Sequence, residues 1–467
     1  MGLLGERDRV IVGLSGQVAA LSARVAELEA RLGQNSQNSS RPPSSDAFVK
    51  PAPRSLRRPS GRAPGKQTGQ AGFALAPRED PDEVIVHVPE TCRGCGVDLC
   101  GAPVVGEERR QVFDLPPMRL VVVEHRAQRR GCGCGAVTTA VFPTRAQGPV
   151  CYGPGVAALG AYLLARQHLP VARAAEAMAD CVGARVSTGW LASLLPAAAG
   201  RLGGFLEVVR ARLRTAPVAH FDETGGRVGN RGHWVHVAAT DAFTLYHLDA
   251  RRGKTAMDAA GVLAAFAGVA VHDGLVGYRT YDTATHALCN AHHLRELAGI
   301  AQLTGQGWAT AIADLLVEIH VAVQTAKGAG GAGLPADQLA DYTARYHALI
   351  AEGQTLNPPP PRTGKRGRPT LGAAGSLLAR LAAYHDDVLR FAVDFRVPFD
   401  NNQAERDIRM IKLQQKISGC WRSETGARSF LAVRSYLSTA AKHGHGALEV
   451  LDQLFRDQPW IPATADP

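Results

Sequence analysis

The chain has 467 residues, enough for about three domains of ordinary size. With 45% hydrophobic and 20% charged residues, its composition excludes a largely disordered protein. The excess of Lys and Arg gives a net charge of +10, which fits a nucleic-acid partner and equally fits an enzyme that is merely basic. No uninterrupted apolar run reaches the ~18 residues of a membrane span, and Glu6, Asp8 and Arg9 interrupt the start where a signal peptide would be apolar. A cytoplasmic protein is expected.

Residues 1–35 contain a heptad pattern that predicts a short coiled coil. β-Branched residues at one apolar position with Leu at the other favour a parallel dimer, so we expect a homodimer or higher oligomer. The alternative is an amphipathic helix packed on its own domain. The two apolar positions are occupied by Ile11, Val18, Val25 and Leu32, and by Leu14, Leu21 and Leu28.

Residues 36–80 predict a flexible basic linker. From Arg41 to Arg78 the sequence holds eight Lys or Arg and one Asp, with many Pro and Ser residues. Such a segment cannot bury a core. It could contact a DNA backbone diffusely or act as a simple tether.

Residues 81–145 predict a small Cys-rich module with Zn²⁺ as its metal. A C-x-x-C pair is followed about forty residues later by a C-x-C pair, with a strand-like run from Arg119 to His125 between them. Cysteine pairs on hairpin tips are typical of a zinc ribbon. Because C-x-C is tight for two ligands of one ion, Cys100 or His125 could replace a ligand, and a module without metal is the alternative. The predicted ligands are Cys92, Cys95, Cys132 and Cys134.

Residues 150–205 predict three short helices, over Val156 to His168, Val171 to Asp180 and Thr188 to Leu202. Ser187 is placed to cap the third helix. Short connections between helices are compatible with a helix-turn-helix DNA reader. A structural three-helix unit explains the pattern equally well, because the third helix carries almost no base-reading side chains before Arg201.

Residues 210–298 change to a strand periodicity. The runs PVAHFDETG, HWVHVAAT and FTLYHLDA predict three strands, followed by a helix from Thr255 to Phe266 and a fourth strand in GVAVHDG. This order matches the start of an RNase H-like α/β fold, in which three strands form an antiparallel meander and the fourth runs parallel beside the first. Residues 287–395 are predicted to be mainly helical, and 401–455 return to helices rich in Lys and Arg.

Two aspartates and one glutamate in these elements predict a metal-dependent catalytic site. Asp222 is expected to end the first strand and Asp273 the fourth, so the two side chains would be neighbours. Glu405 lies in a predicted helix that Asp400 or Asn401 can cap. Three carboxylates suffice for two Mg²⁺ or Mn²⁺ ions, because such ions keep waters and also bind substrate phosphates. Taken singly, each acid could equally be a cap or a salt-bridge partner.

Basic residues follow Glu405 on its helix. Arg409 and Lys412 lie four and seven residues further on, so they share one face with Glu405 and are predicted to bind phosphates. Arg406 and Lys416 are predicted DNA contacts on the same helix.

A second basic element precedes that helix. Arg366, Gly367, Arg368 and Pro369 form an RGRP core like that of an AT-hook, whose two arginines enter a narrow minor groove. The alternative is a flexible basic loop that touches phosphates.

Cys289 and His292 form a C-x-x-H pair at the start of a predicted helix. The pair could be half of a metal site, or His292 could lie near the scissile phosphate. The alternative is a strand-to-helix junction with a buried Cys. His293 and Arg295 are further candidates for DNA contact.

The motifs HFDET, HDGLVGY, LCNAHHLREL and NNQAERDIRMIKLQQKISGCWR together resemble the insertion-sequence-66 family of bacterial DDE transposases, over nearly the whole chain. The resemblance implies an RNase H-like, retroviral-integrase-like core split by a helical insertion, in segments 210–298, 299–396 and 397–455, with a short tail at 456–467. It implies that Asp222, Asp273 and Glu405 are the catalytic triad. The second Cys pair departs from the family's commoner C-x-x-C.

The resemblance also implies a function. The protein is expected to cut double-stranded DNA at the terminal inverted repeats of an insertion sequence and to join the 3′-OH to target DNA, near the bacterial nucleoid, with accessory proteins from the same element as partners. The alternatives are an inactive or domesticated DNA-binding protein, acting as a repressor or scaffold, and an RNase H-like nuclease that never joins strands.

Overall fold

The computed structural model describes residues 13–18, 21, 25, 28–29, 32, 75–116, 118–143, 146, 148–359 and 371–463. Most of the basic linker and the whole RGRP core, including Arg366 and Arg368, lie outside these residues. The chain divides into two compact units, Ser55–Val121 and the remainder, and each is considered by itself.

The N-terminal segment is helical wherever the structure describes it. Its apolar heptad side chains are exposed, from 44% at Leu28 to 85% at Leu32. Packing of this helix on its own domain therefore receives no support from the described residues, and the coiled coil stays a prediction.

The strand predicted from Arg119 to His125 is wrong. Val121, Val122 and Val123 are 69–89% exposed, and within the described residues no strand pairs with this run. A run of Val has high strand propensity, but that propensity is realised only where a partner strand and a core cover the side chains. The strands lie further on, where β1 (Arg129–Gly131) and β2 (Val137–Thr139) form an antiparallel hairpin.

Within residues 148–217 four helices precede the main sheet: α1 (Pro154–Ala161), α2 (Val171–Val182), α3 (Thr188–Gly200) and α4 (Gly203–Arg214). The three predicted helices are thus confirmed, although the first one changes to a π-helical turn over Tyr162–Arg166. Ser187 caps α3, because its Oγ accepts a hydrogen bond of 3.1 Å from the N–H of Trp190.

A five-stranded sheet forms the centre of the larger unit. Its strands are β3 (Val218–Val228), β4 (Arg231–Ala239), β5 (Thr244–Asp249), β6 (Val269–His272) and β7 (Thr285–Leu288). The spatial order is β5-β4-β3-β6-β7, with β3–β4–β5 antiparallel and β6 and β7 parallel to β3. The predicted meander and parallel fourth strand are confirmed. β7 was not among the four predicted strands, but it agrees with the alternative considered for Cys289, a strand-to-helix junction with a buried Cys, because Cys289 is buried between β7 and the next helix.

The helix predicted from Thr255 to Phe266 is shorter than expected. It ends as α5 (Lys254–Ala260), and a separate 3₁₀ turn follows at Leu263–Ala265. Gly261 separates the two, with a φ of +74° that a helix cannot continue.

In residues 289–359 and 371–400, which the structure describes, five helices follow β7: α6 (Asn290–Thr304), α7 (Gly307–Gly328), α8 (Ala336–Leu356), α9 (Ala373–Ala383) and α10 (His385–Val393). They share an apolar core that contains the fully buried Trp308 and reaches Val271 and Leu288 of the sheet. Among the described helices only α7 is by itself long and apolar enough to cross a membrane, and one of its faces, which includes Trp308, Leu316 and Val323, belongs to this core.

Three helices complete the fold: α11 (Asn402–Ser418), α12 (Glu424–Lys442) and α13 (Ala447–Phe455). Residues of α11, α12 and α13 share the second apolar core with β3, β4 and β5. A buried ion pair joins α11 to α12 here, because Lys442 Nζ lies 2.9 Å from Asp407 Oδ2.

Candidate active site

The centre of the sheet places the first two predicted carboxylates side by side. Asp222 lies in the middle of β3, opposite Val237, so the expectation that it ends the strand is wrong. Asp273 directly follows β6, as predicted. In the parallel β3–β6 pair His220 is opposite Val271, and Asp222 and Asp273 each lie two residues beyond that pair. The parallel register therefore places the two acids at the same level of two neighbouring strands.

The electrostatics of Asp222 show that four carboxyl groups share this region. Burial raises the pKa of Asp222 well above its usual range, and the charges of Glu223, Asp273 and Glu405 raise it further. Carboxylates that repel one another in this way are typical of sites built for cations.

Glu223 is a member of this cluster that the sequence analysis missed. Its side chain is 1% exposed. Its Oε1 accepts hydrogen bonds from Nε and Nη2 of Arg252 at 2.9 and 2.7 Å, and its Oε2 accepts one from the Tyr278 hydroxyl at 2.5 Å. Burial and the charge of Asp273 raise the pKa of Glu223. The hydrogen bonds from Tyr278 and Arg252 act in the opposite direction and lower it, but the net shift is upward. Both Glu223 oxygens are thus engaged by protein donors. The adjacent acids in HFDET were the only sequence signal for it.

Asn401 holds the helix of Glu405 against the sheet. The prediction that its side chain caps α11 is wrong, because its Nδ2 donates to the Phe221 carbonyl at 2.8 Å and its Oδ1 lies 2.9 Å from His220 Nδ1. Asp400 instead accepts from the backbone N–H of Asn402 at 3.0 Å. The buried amide therefore fixes the first turn of α11, and with it Glu405, beside β3.

Three cationic or titratable groups surround the Glu405 carboxylate. His292 Nδ1 and Arg295 Nη2 lie 3.8 and 3.6 Å from Oε1, and Arg409 Nη2 lies 3.9 Å from Oε2. Burial lowers the pKa of His292, and the charge of Arg295 lowers it further. Cys289 is buried next to them, and burial raises the pKa of its thiol to about 12.

The predicted DNA contacts on α11 differ in their exposure. Arg409 is 67% exposed at its side chain, and Arg406 and Lys416 are exposed as well. Lys412 is half-buried, and its Nζ donates to the Gly225 carbonyl at 2.9 Å, so it anchors α11 to β3. His293, a further candidate, is buried and lies 3.1 Å from Asn290.

Each cysteine pair lies in its own tight turn. In the first, the Cys92 N–H donates to Val97, the Gly96 N–H donates to Cys92, and Gly96 has a φ of +77°. In the second, Cys132 and Gly135 repeat this pattern, with Gly135 at +92°.

The turns also favour the metal-binding form of the thiols. Backbone N–H groups, first those of Cys95 and Cys134, lower the pKa of the Cys92 and Cys132 thiols respectively. Thiolates presented in such turns suit a soft cation such as Zn²⁺.

Family models match three parts of the chain. Residues 149–429 match the model described as Transposase IS66 family, which covers α1 to α11 and part of α12 and includes all three predicted acids. The chain belongs to the IS66 transposase family. Residues 89–135 match the zinc-finger binding domain of transposase IS66, which contains both cysteine pairs, and residues 6–75 match a family of unknown function, DUF6444.

The chain is also similar to another protein over most of its length. The uncharacterized protein y4jD of Sinorhizobium fredii (strain NBRC 101917 / NGR234) is 23% identical over 410 residues, which cover 81% of this chain and 77% of that protein.

The crowding of acids gives a prediction on stability and pH. Because the folded-state pKa of Asp222 is raised, this group lowers the stability of the metal-free fold at neutral and higher pH. The penalty shrinks as the pH falls below the folded-state pKa and is gone below the unfolded-state pKa of about 3.9. Without divalent metal, we expect Asp222→Asn to raise the melting temperature at pH 7–8 by roughly 2–6 °C.

Thermal unfolding of both proteins in EDTA between pH 4 and 8 measures this. Asp337→Asn, at an exposed position, serves as the control. An equal or lower melting temperature for Asp222→Asn at pH 8, or a difference that grows toward pH 4, would contradict the electrostatic argument.

Proposed function

We propose that this chain is an active DDE transposase with an RNase H-like core, in which Asp222, Asp273 and Glu405 are the catalytic triad. The observation that carries the proposal is the convergence of three acids on β3, after β6 and on α11, where their charges act on one another. It is supported by the strand order and by the family to which the chain belongs.

The donor set fits Mg²⁺ or Mn²⁺. Carboxylate oxygens are the ligands that such ions prefer, and the mutual repulsion of the acids is relieved by a cation. When bound, a pair of ions would supply Lewis-acid activation of the attacking oxygen and stabilisation of the leaving one.

The chain's own residues would position the reactants. Asp222 and Asp273 would hold cations from the sheet, and Glu405 from α11. Arg409, exposed one turn beyond Glu405, would bind a phosphate of the DNA backbone, as would Arg406 and Lys416. Water attack would free a 3′-OH at the element end, and that hydroxyl would then attack a target phosphodiester.

The test is a DNA assay with the full chain. The protein is incubated with duplexes taken from the DNA on each side of its gene, where terminal inverted repeats are expected, and with a supercoiled target, in Mg²⁺, Mn²⁺ or EDTA. We expect metal-dependent nicking at the repeats and joined products. Hydrolysis without joined products would indicate a nuclease, and binding without cleavage would indicate a repressor or scaffold; either result would overturn the proposal.

We also propose that the module matched by the zinc-finger model binds Zn²⁺ through Cys92, Cys95, Cys132 and Cys134, of which the two turn geometries are favourable to thiolates. Replacing both cysteines of the first pair by Ser should remove about one equivalent of zinc from the full chain, because two of four ligands are lost. Elemental analysis after dialysis measures it, with Cys181→Ser, exposed on α2, as the control. Zinc content that is unchanged in the double variant would refute the assignment.

A further inference from the structure

Three potential metal ligands lie together beside the acid cluster, and two of them, Cys289 and His292, have no role in the proposed catalytic triad. The sulfur of Cys289, a ring nitrogen of His292 and a carboxylate oxygen of Glu405 all lie within 4.8 Å of one another. The three residues come from two elements, since Cys289 is the N-cap of α6, His292 lies in its first turn and Glu405 lies in the first turn of α11.

Two polar atoms in this group are buried without a hydrogen bond. They are His292 Nδ1 and Glu405 Oε1, which face each other across 3.8 Å, too far apart for a hydrogen bond. Arg295 lies 3.6 Å from the same oxygen and does not reach it either. A buried polar atom without a partner costs about 1–3 kcal/mol, so two of them facing one another call for a ligand between them.

The spacing fits a tetrahedral cation. Bonds of about 2.0–2.3 Å place the ligand atoms of a zinc ion about 3.3–3.8 Å apart. The His292–Glu405 separation of 3.8 Å lies at the upper end of this range. The three ligand atoms all lie within 4.8 Å of one another, so an inward shift of at most about 1 Å completes the site. A hydrogen bond of 3.1 Å from the Asn401 N–H to the Cys289 sulfur already orients the thiol, as outer partners commonly do for metal-bound sulfur.

We propose that Cys289, His292 and Glu405 Oε1 form a binding site for a thiophilic divalent cation of the Zn²⁺ class, with water as the fourth ligand. A sulfur and an imidazole nitrogen select Zn²⁺ over Mg²⁺, which prefers oxygen ligands throughout. The site shares Glu405 with the proposed catalytic centre and leaves its Oε2 free. It ties α6, where the helical insertion begins, to α11, where the core resumes, and so acts as a positioning device for the third acid.

The experiment measures zinc content of the full chain after equilibrium dialysis against Zn²⁺. We expect two equivalents in the parent protein, one in Cys289→Ser and one in His292→Ala, and two in Cys420→Ser, a control at an exposed cysteine. The double change of Cys92 and Cys95 to Ser removes the other equivalent, so the two sites are read separately. Melting temperatures of the Cys289 and His292 variants are measured in parallel in EDTA, so that a loss of zinc is read only from variants that are folded without metal.

Zinc content that is the same in the parent, Cys289→Ser and His292→Ala would overturn the proposal. If Cys289→Ser alone fails to fold, His292→Ala decides. Neither measurement requires DNA or turnover. If these variants lose one zinc but the parent protein never cleaves DNA, the proposed function is contradicted and the zinc site is supported. If the parent protein cleaves DNA but the variants keep their zinc, the proposed function is supported and the zinc site is contradicted.

Discussion

Replacing any acid of the triad by its amide, as Asp222→Asn, Asp273→Asn or Glu405→Gln, should lower the rate of metal-dependent DNA cleavage at least about 1,000-fold. The reason is that each carboxylate is a proposed cation ligand, and losing one removes several kcal/mol of transition-state stabilisation. The amides preserve shape, so the fold and DNA binding in EDTA should persist. Cleavage and joining of end-labelled duplexes, followed in Mg²⁺ and Mn²⁺, measure the effect.

Matched controls distinguish the loss of a metal ligand from the mere loss of a negative charge on the protein. Asp337→Asn and Glu424→Gln remove the same charges at exposed positions in the first turns of α8 and α12, and both should retain parental activity. Metal-dependent cleavage that survives in all three triad variants would reject the assignment of the active site.

The second large effect concerns the ion pair that joins α11 to α12. Asp407 Oδ2 accepts hydrogen bonds from Lys442, Thr244 and Gln403, and Lys442 also donates to the carbonyls of Thr240 and Phe243. Both charged side chains are only 13% exposed. Lys442→Met should therefore destabilise the fold by about 3 kcal/mol, because it leaves a largely buried carboxylate without its cation.

Thermal unfolding tests this, with an expected loss of roughly 6–12 °C for Lys442→Met. The double variant Asp407→Asn, Lys442→Met should regain part of the loss, because the unpaired charge is gone while the neighbours of Asp407 remain. Lys416→Met, an exposed lysine on α11, is the control and should melt close to the parent. The single variant Asp407→Asn completes the comparison. If the double variant loses as much stability as the two single variants added together, the two residues are not coupled.

Local patterns in the sequence were sufficient for most of the elements and for the place of Asp273 directly after β6, but not for the place of Asp222 in the middle of β3. Alternating apolar residues gave β3 to β6, and the hydroxyl of Ser187 caps α3 as its position suggested. β7 was indicated only by the strand-to-helix alternative considered for Cys289, because four residues, THAL, are too few to show a period and their strand state is set by pairing with β6.

Features that depend on distant parts of the chain could not be read locally. The Asn401 side chain looked like a helix cap, but its partners are the Phe221 carbonyl and His220, some 180 residues earlier. Lys412 looked like a free cation on an exposed face, but packing of α11 on β3 brings it to the Gly225 carbonyl. Glu223 likewise became part of the site only through Arg252 and Tyr278.

The position of Glu405 on α11, far along the chain from Asp273, has a consequence for synthesis. The two acids are separated by about 130 residues, which a ribosome adds in roughly 7–26 s. During that interval the nascent chain holds both sheet aspartates but lacks the third carboxylate and the cations of α11. Under the proposed assignment, a chain released between residues 288 and 405 is therefore expected to carry the zinc-finger segment and all five strands of the sheet yet remain unable to cut DNA, so that such incomplete products would compete for DNA without breaking it.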